Sequence, residues 1–186
     1  LSLDTADHGI SATRFQRDTL PAPYRPRVSV CHEGVDTDVL CPNEAATCNL
    51  PDGTRLTRQD EVITFVARDL EPVRGYHAFM RALPGILAAR PRAQVLVVGG
   101  DGVSYGWQPP AGRTWKAMFL DEVKDRIDRS RVHFLGLQPR ETLTLLLQLS
   151  SVHVYLTYPY VLSWSMLEAM SCGALLVGSD TAPVRE

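Results

Sequence analysis

The chain has 186 residues, is 45% hydrophobic and 22% charged, and carries a formal net charge of -2. This length supports one domain with a substantial core. The near-neutral charge excludes a broad electrostatic attraction to nucleic acid or acidic membranes, and no run approaches the roughly 20 apolar residues of a membrane-spanning helix. The four cysteines, Cys31, Cys41, Cys48 and Cys172, form neither a Cys-x-x-Cys pair nor a zinc-like spacing, so they read as reduced thiols of a cytosolic protein. The opening Leu1-Ser2-Leu3-Asp4 has no signal-peptide character, and the expectation is a piece of a longer protein.

In chain order, residues 1–20 are polar, with a short helix expected over 13–18. Pro21, Pro23 and Pro26 predict a stiff extended segment, and Val28-Ser29-Val30 a short strand. His32-Glu33-Gly34-Val35-Asp36 is a turn signal. Residues 43–60 contain Pro51-Asp52-Gly53 and read as a surface hairpin or loop. From Val62 onward strands and helices alternate. Strands are expected over 62–67, 94–98, 132–135, 152–156 and 175–177. Helices are expected over 76–90, 115–129, 140–149 and 165–172. Such alternation predicts an α/β fold: a Rossmann-like, three-layer α/β/α domain on a parallel sheet.

Ligands of open parallel sheets bind beyond the carboxyl ends of the strands, which makes the residues just after each strand the candidates. Arg68 follows the first strand of the alternating region and Arg74 lies six residues on. Two guanidiniums there suit a pyrophosphate; the alternative is a solvated pair with one arginine bridging to Glu71. Gly99-Gly100-Asp101-Gly102 ends the second strand, where glycine lets a ligand approach the backbone. The next loop, 103–113, reads as a packed surface loop. Gly136 ends the third strand in a strand-to-helix turn, with Pro139 starting the helix. The last segment runs from Tyr158-Pro159-Tyr160-Val161-Leu162 through Ser163-Trp164-Ser165 to Gly173. Ser163 and Ser165 are expected to cap the helix and Met166, Leu167 and Met170 to face a core, with Gly173 in the left-handed terminal position. Glu168 stands alone in that apolar helix, whose start is a ready anion site. Tyr158, Tyr160 and Trp164 read as core aromatics near strand ends, His133 and His153 as core histidines, and Asp180 as a solvated turn residue.

Segment 158–173 resembles the nucleotide-sugar site of group 1 (family 4-like) glycosyltransferases of the GT-B fold. Glu168-Ala169-Met170 and Gly173 match the second half of that family's two-glutamate pattern. The first glutamate falls at Tyr160, a departure that removes a sugar-contacting carboxylate. Arg68 and Arg74 resemble the family's Gly-Arg…Lys-Gly motif, with Arg in place of Lys. Phe134-Leu135-Gly136-Leu137-Gln138-Pro139 resembles its Phe-Leu-Gly-x-x-Pro turn, and Gly34-Val35-Asp36 its interdomain linker.

The resemblance implies a donor-binding domain over 28–186, C-terminally incomplete, and a linker segment over 1–27 from a missing acceptor domain. It implies Glu168 on the donor ribose and Arg68 and Arg74 on the diphosphate as catalytic cations. Leu135 and Gly136 would read the base, and Tyr160, Val161, Leu162, Ser163 and Gly100 would lie around the donor. The implied reaction is metal-independent, retaining hexosyl transfer from a UDP- or GDP-sugar to a glycan, lipid or small-molecule acceptor. The expected setting is cytoplasmic, with peripheral contact at the inner membrane face open. No cofactor and no nucleic-acid partner is implied. A non-catalytic nucleotide-sugar binding module and a GT-B sugar-nucleotide epimerase stand as alternatives.

Overall fold

A computed structural model describes residues 3–159 and 162–186. Two short strands, β1 (Gly9–Ser11) and β2 (Val28–Val30), pair in parallel as a separate ribbon. Between them lies helix α1 (Arg14–Asp18), begun by the Thr13 hydroxyl accepting from the Gln16 N–H. The proline segment departs from the extended expectation: Ala22–Arg27 is a 3-10 helix. Proline's fixed φ fits the first turn of such a helix as well as it fits an extended chain, and Tyr24 N–H closes the turn on the Pro21 carbonyl at 3.0 Å.

Strands β3 (Thr47–Asn49) and β4 (Arg55–Thr57) form the antiparallel hairpin, turned at Asp52-Gly53. The hairpin is more than surface decoration, because Leu50 and Leu56 are buried in the core beneath it.

The main sheet has five parallel strands: β5 (Val62–Asp69), β6 (Gln94–Gly100), β7 (Val132–Gly136), β8 (Val152–Tyr155) and β9 (Leu175–Gly178). Their spatial order is β7-β6-β5-β8-β9. The chain starts at the centre, winds outward one way, then returns to wind outward the other way. This is the doubly wound order, whose reversal point lies between β5 and β8. Alternation along β5 and β6 divides the core. Ile63, Phe65, Val95 and Val97 face α2 (Tyr76–Ala89) and α3 (Trp115–Val123). Val62, Leu96 and Val98 face the hairpin and α4 (Arg140–Leu149). Helix α5 (Trp164–Ser171) packs beside α4 through Ala169 and Leu147, and α6 (Ala182–Arg185) follows the last strand.

Three further expectations are corrected. The helix expected over 115–129 stops at Val123, and 3-10 turns follow at Lys124–Arg126 and Arg129–Arg131. The break falls at the extended Ile127, and the Asp128 carboxylate starts the next turn by accepting from Ser130 N–H at 3.0 Å. Met170 points outward, because α5 buries Met166, Glu168 and Ala169 instead, with Cys172 buried just after it. Tyr158 and Trp164 are exposed rather than core.

His133 and His153 are buried, as expected. His153 lies wholly inside, with Nδ1 2.9 Å from the Thr64 hydroxyl, and burial pushes its pKa down to about 4. The unfolded chain therefore binds the proton first. Stability is full above the ordinary histidine value of 6.5 and falls as pH drops from there toward the folded value. Urea unfolding should show a loss of about 2 kcal/mol between neutral pH and about pH 5 from this group. His153→Leu should flatten that part of the pH profile; an unchanged profile would show that His153 does not carry it.

Candidate functional site

The site forms where the sheet reverses. Strand β5 ends in Arg68-Asp69, and a 3-10 turn (Pro72–Arg74) then leads to Gly75 and α2. Gly75 has φ +75°, and a β-carbon there would lie 2.1 Å from the Leu156 carbonyl oxygen. The chain after β5 thus presses directly against the chain after β8, and only glycine permits that contact. The Tyr158 N–H, donating to the Val73 carbonyl at 2.9 Å, holds the two loops together.

This junction brings together residues far apart in sequence. Arg68, Arg74, Tyr155, Thr157, Ser163 and Ser165 line one cleft of about 120 Å³. Arg68 is exposed and Arg74 half-buried, with the Arg74 guanidinium 4.8 Å from the centre of the Tyr105 ring. Burial raises the pKa of the Tyr155 phenol, opposed by the Ser163 N–H and the positive charge of Arg74. That N–H donates to the Tyr155 oxygen at 3.0 Å. The cleft therefore combines two cations with hydroxyl groups at the opening of a helix, the makings of an anion site.

Ser163 occupies the position just before α5 in an extended conformation, but it does not cap the helix. Its hydroxyl lies 3.2 Å from that of Ser165 instead. Gly75 likewise gives α2 no side-chain cap. Helix α5 thus opens at the cleft with first-turn N–H groups that no side chain caps, a deficiency that an anion's oxygens satisfy; the start of α2, at Gly75, His77 and Ala78, lines a neighbouring pocket instead.

Glu168 lies deeper. It is 4% exposed and is held by the Arg140 guanidinium from the start of α4. A buried carboxylate needs such a partner to stay charged. Arg140 went unnoticed in the sequence because it reads as an ordinary first-turn helix residue; its only signal is its place just after the Gly136–Pro139 turn. Gly136 has φ +67° with open space where a side chain would project. The Leu135 carbonyl accepts from the Gln138 side chain, and Leu162 is half-buried. Tyr160 and Val161 lie outside the described residues. Leu135, Gly136, Gly100 and Glu168 do not line the cleft of the two arginines.

Two carboxylates at the end of β5 shape the neighbouring loop. Asp69 accepts from Gly102 N–H at 3.1 Å and from the Ser104 hydroxyl. The close approach that Gly100 permits is made by this Asp69 side chain, 2.7 Å from where a β-carbon would sit. Glu71 is fully buried and does not bridge to an arginine. It accepts the consecutive N–H groups of Ser104, Tyr105 and Gly106, at 3.3, 3.2 and 2.8 Å. The loop 103–113 is thus tied down at its base, yet it is not packed throughout: Trp107 is 90% exposed. Asp180 pairs with Arg185 at the surface. Among the described residues no three His, Cys, Asp or Glu side chains gather as a metal-binding group, and no helix is long and apolar enough to cross a membrane.

Residues 50–186 match the family model of glycosyl transferases group 1, and residues 1–40 that of the glycosyl transferase family 4 group. The D-inositol 3-phosphate glycosyltransferase of Mycobacteroides abscessus is 29% identical over 183 residues, covering 95% of this chain and 38% of that protein. The chain therefore spans well under half the length of this relative. Among solved structures, sucrose-phosphate synthase from Thermosynechococcus elongatus superposes with a TM-score of 0.73 at 21% identity, over 98% of this chain and 43% of that one. A variant of S. aureus TarM, solved with Fondaparinux, alpha-GlcNAc-glycerol and UDP, gives 0.66 at 14% identity, over 96% of this chain and 31% of that one. Such distant structures speak to fold, and the fold they share with the chain is the Rossmann-like half of a GT-B enzyme. With its doubly wound sheet and a family match from residue 50 to 186, the chain belongs to the group 1 glycosyltransferases.

Proposed function

We propose that the cleft at the β5–β8 reversal holds the diphosphate of a nucleotide-sugar, and that the protein transfers its hexosyl group with retention and without a metal ion. The observation that carries this reading is the convergence of Arg68, Arg74, Ser163 and Ser165 on one cleft. When the bond from the sugar C1 to the diphosphate oxygen breaks, negative charge builds on the leaving phosphate. The two guanidiniums and the open end of α5 stabilise that charge without a metal. The acceptor hydroxyl forms the new bond to C1, and its proton passes to the departing phosphate. Retention rests on the resemblance of segment 158–173 to the family, since that class of transfer keeps the donor's anomeric configuration.

Glu168, paired with Arg140, is proposed to accept from the ribose hydroxyls. The nucleotide is UDP or GDP; the TarM structure was solved with UDP. The relatives named for D-inositol 3-phosphate make a hydroxylated small molecule a candidate acceptor beside a glycan or lipid. A segment over 1–27 shared with an acceptor domain, a cytoplasmic setting and contact with the inner membrane face belong to the same proposal. A binding module without transfer activity competes with it, because Tyr160 stands where the family pattern places a sugar-contacting glutamate. Turnover of UDP- or GDP-sugars by the full-length protein separates the two.

The ribose contact has its own test. Glu168→Gln should weaken binding of UDP or GDP to this chain by about tenfold, while binding of inorganic pyrophosphate, which has no ribose, should not change. Equal losses for both ligands in calorimetric titration would place Glu168 in the architecture of the cleft rather than on the ribose.

A further inference from the structure

Beside the diphosphate cleft lies a second, larger cavity of about 490 Å³, lined by Val73, Tyr105, Gly106, Trp107 and Tyr158. Among the described residues three aromatic rings line it, and all are unusually open: Tyr105 is 57%, Tyr158 67% and Trp107 90% exposed. Large aromatic side chains left in water around a concavity mark a binding surface more often than a folding accident.

The wall is also built rather than incidental. Glu71 takes the backbone N–H groups of Ser104, Tyr105 and Gly106, which fixes the loop that carries Tyr105 and Trp107. The Trp107 carbonyl accepts from the Trp115 indole N–H at 2.8 Å, securing the far side. Tyr158 is tied to Val73 through the backbone, and Arg74 stacks on Tyr105. The cavity thus adjoins the cleft of the two arginines: Val73 lines the one and the next residue, Arg74, the other.

We infer that this cavity is a saccharide subsite, in which Trp107 and Tyr158 stack against the C–H face of a pyranose ring of the acceptor. The loop spends its N–H groups on Glu71, so it offers the occupant mainly ring faces and Val73. A pyranose suits such walls because one face is lined with C–H bonds while its hydroxyl rim stays in water. The openness of Trp107 leaves that rim wet, whereas an aliphatic chain would need enclosure. The adjoining Arg74 places the occupant next to the leaving diphosphate, where an acceptor must stand. Naming the sugar as acceptor rests on the proposed transfer reaction; the subsite itself does not.

Saturation-transfer NMR on this chain tests it, with methyl glycosides of glucose, mannose and N-acetylglucosamine as probes and uridine and 1-octanol as the other arms. At least one glycoside should receive saturation at its ring C–H protons. Its affinity should fall by about tenfold in Trp107→Ala and in Tyr158→Ala, while UDP and GDP binding stays unchanged in Trp107→Ala. The exposed Trp107 side chain can be removed without disturbing the fold, and the carbonyl that holds Trp115 is kept. No transfer to any glycoside, equal transfer in both variants, or transfer confined to uridine or octanol would overturn the subsite. Glycoside binding without UDP or GDP binding would keep the subsite and reject the diphosphate cleft; the reverse would reject the subsite alone.

Discussion

Arg68→Ala or Arg74→Ala should each lower kcat of the full-length protein by about 100-fold or more, the usual cost of removing one preorganised group that stabilises developing charge. Both side chains line the cleft at the sheet's reversal point. Arg68 is exposed, so truncating it removes a charge and leaves the core untouched. Arg74 has a second contact, on Tyr105, and its loss should also loosen the aromatic wall. Arg74→Lys separates these effects. It keeps the charge near the phosphate and gives up the planar stacking and the bidentate geometry, so it should recover most of the rate if charge is what matters. Turnover of both alanine variants at the wild-type rate, with their melting points unchanged, would remove the arginines from the leaving-group role.

Gly75→Ala should be the most damaging single methyl addition near the site. A left-handed backbone costs an alanine about 1–2 kcal/mol. The added carbon also meets the Leu156 carbonyl at 2.1 Å, which forces the β5 and β8 loops apart at a further cost of about 1–3 kcal/mol. The sum, about 3 kcal/mol, should lower the melting temperature by about 10 °C. The same displacement moves Arg74 away from Ser163, so nucleotide binding should weaken even well below the melting transition. Gly34, also at positive φ, has no neighbouring atom where its β-carbon would be. Gly34→Ala should therefore cost only the backbone part, which makes it the control. Equal melting temperatures for the two variants would mean that the loops are not in contact as described.

The sheet was legible because its signals are local. Val95 to Val98 is a continuous apolar run, and Val62 to Ala67 is one broken only by Thr64, as suits strands buried on both faces, and the helices between them show their own period. Which strand neighbours which is not local. The order that puts β8 beside β5 follows from the handedness of the crossovers and the packing of helices on two faces. The cleft was partly legible: Arg68, Arg74 and Ser163 stand at element ends, and element ends are where ligands bind.

What escaped was partnership. Nothing near Glu168 in sequence announces Arg140, and nothing near Glu71 announces the N–H groups of Ser104, Tyr105 and Gly106. These pairs are set by tertiary contacts across 28 and more than 30 residues. The serines depart from the capping expectation for a related reason. Their types suit capping, but with Ser163 and Ser165 side by side the hydroxyls meet each other. Helix length over 115–129 failed because Ile127 suits either state and the Asp128 turn decided it.

The most direct test of the diphosphate cleft is calorimetric titration of this chain with UDP and GDP, alone and in the Arg68→Ala and Arg74→Ala variants. At least one nucleoside diphosphate should bind, and its binding should weaken by about tenfold or more in each variant. No binding of either nucleotide, or binding that survives unchanged in both variants, would contradict it.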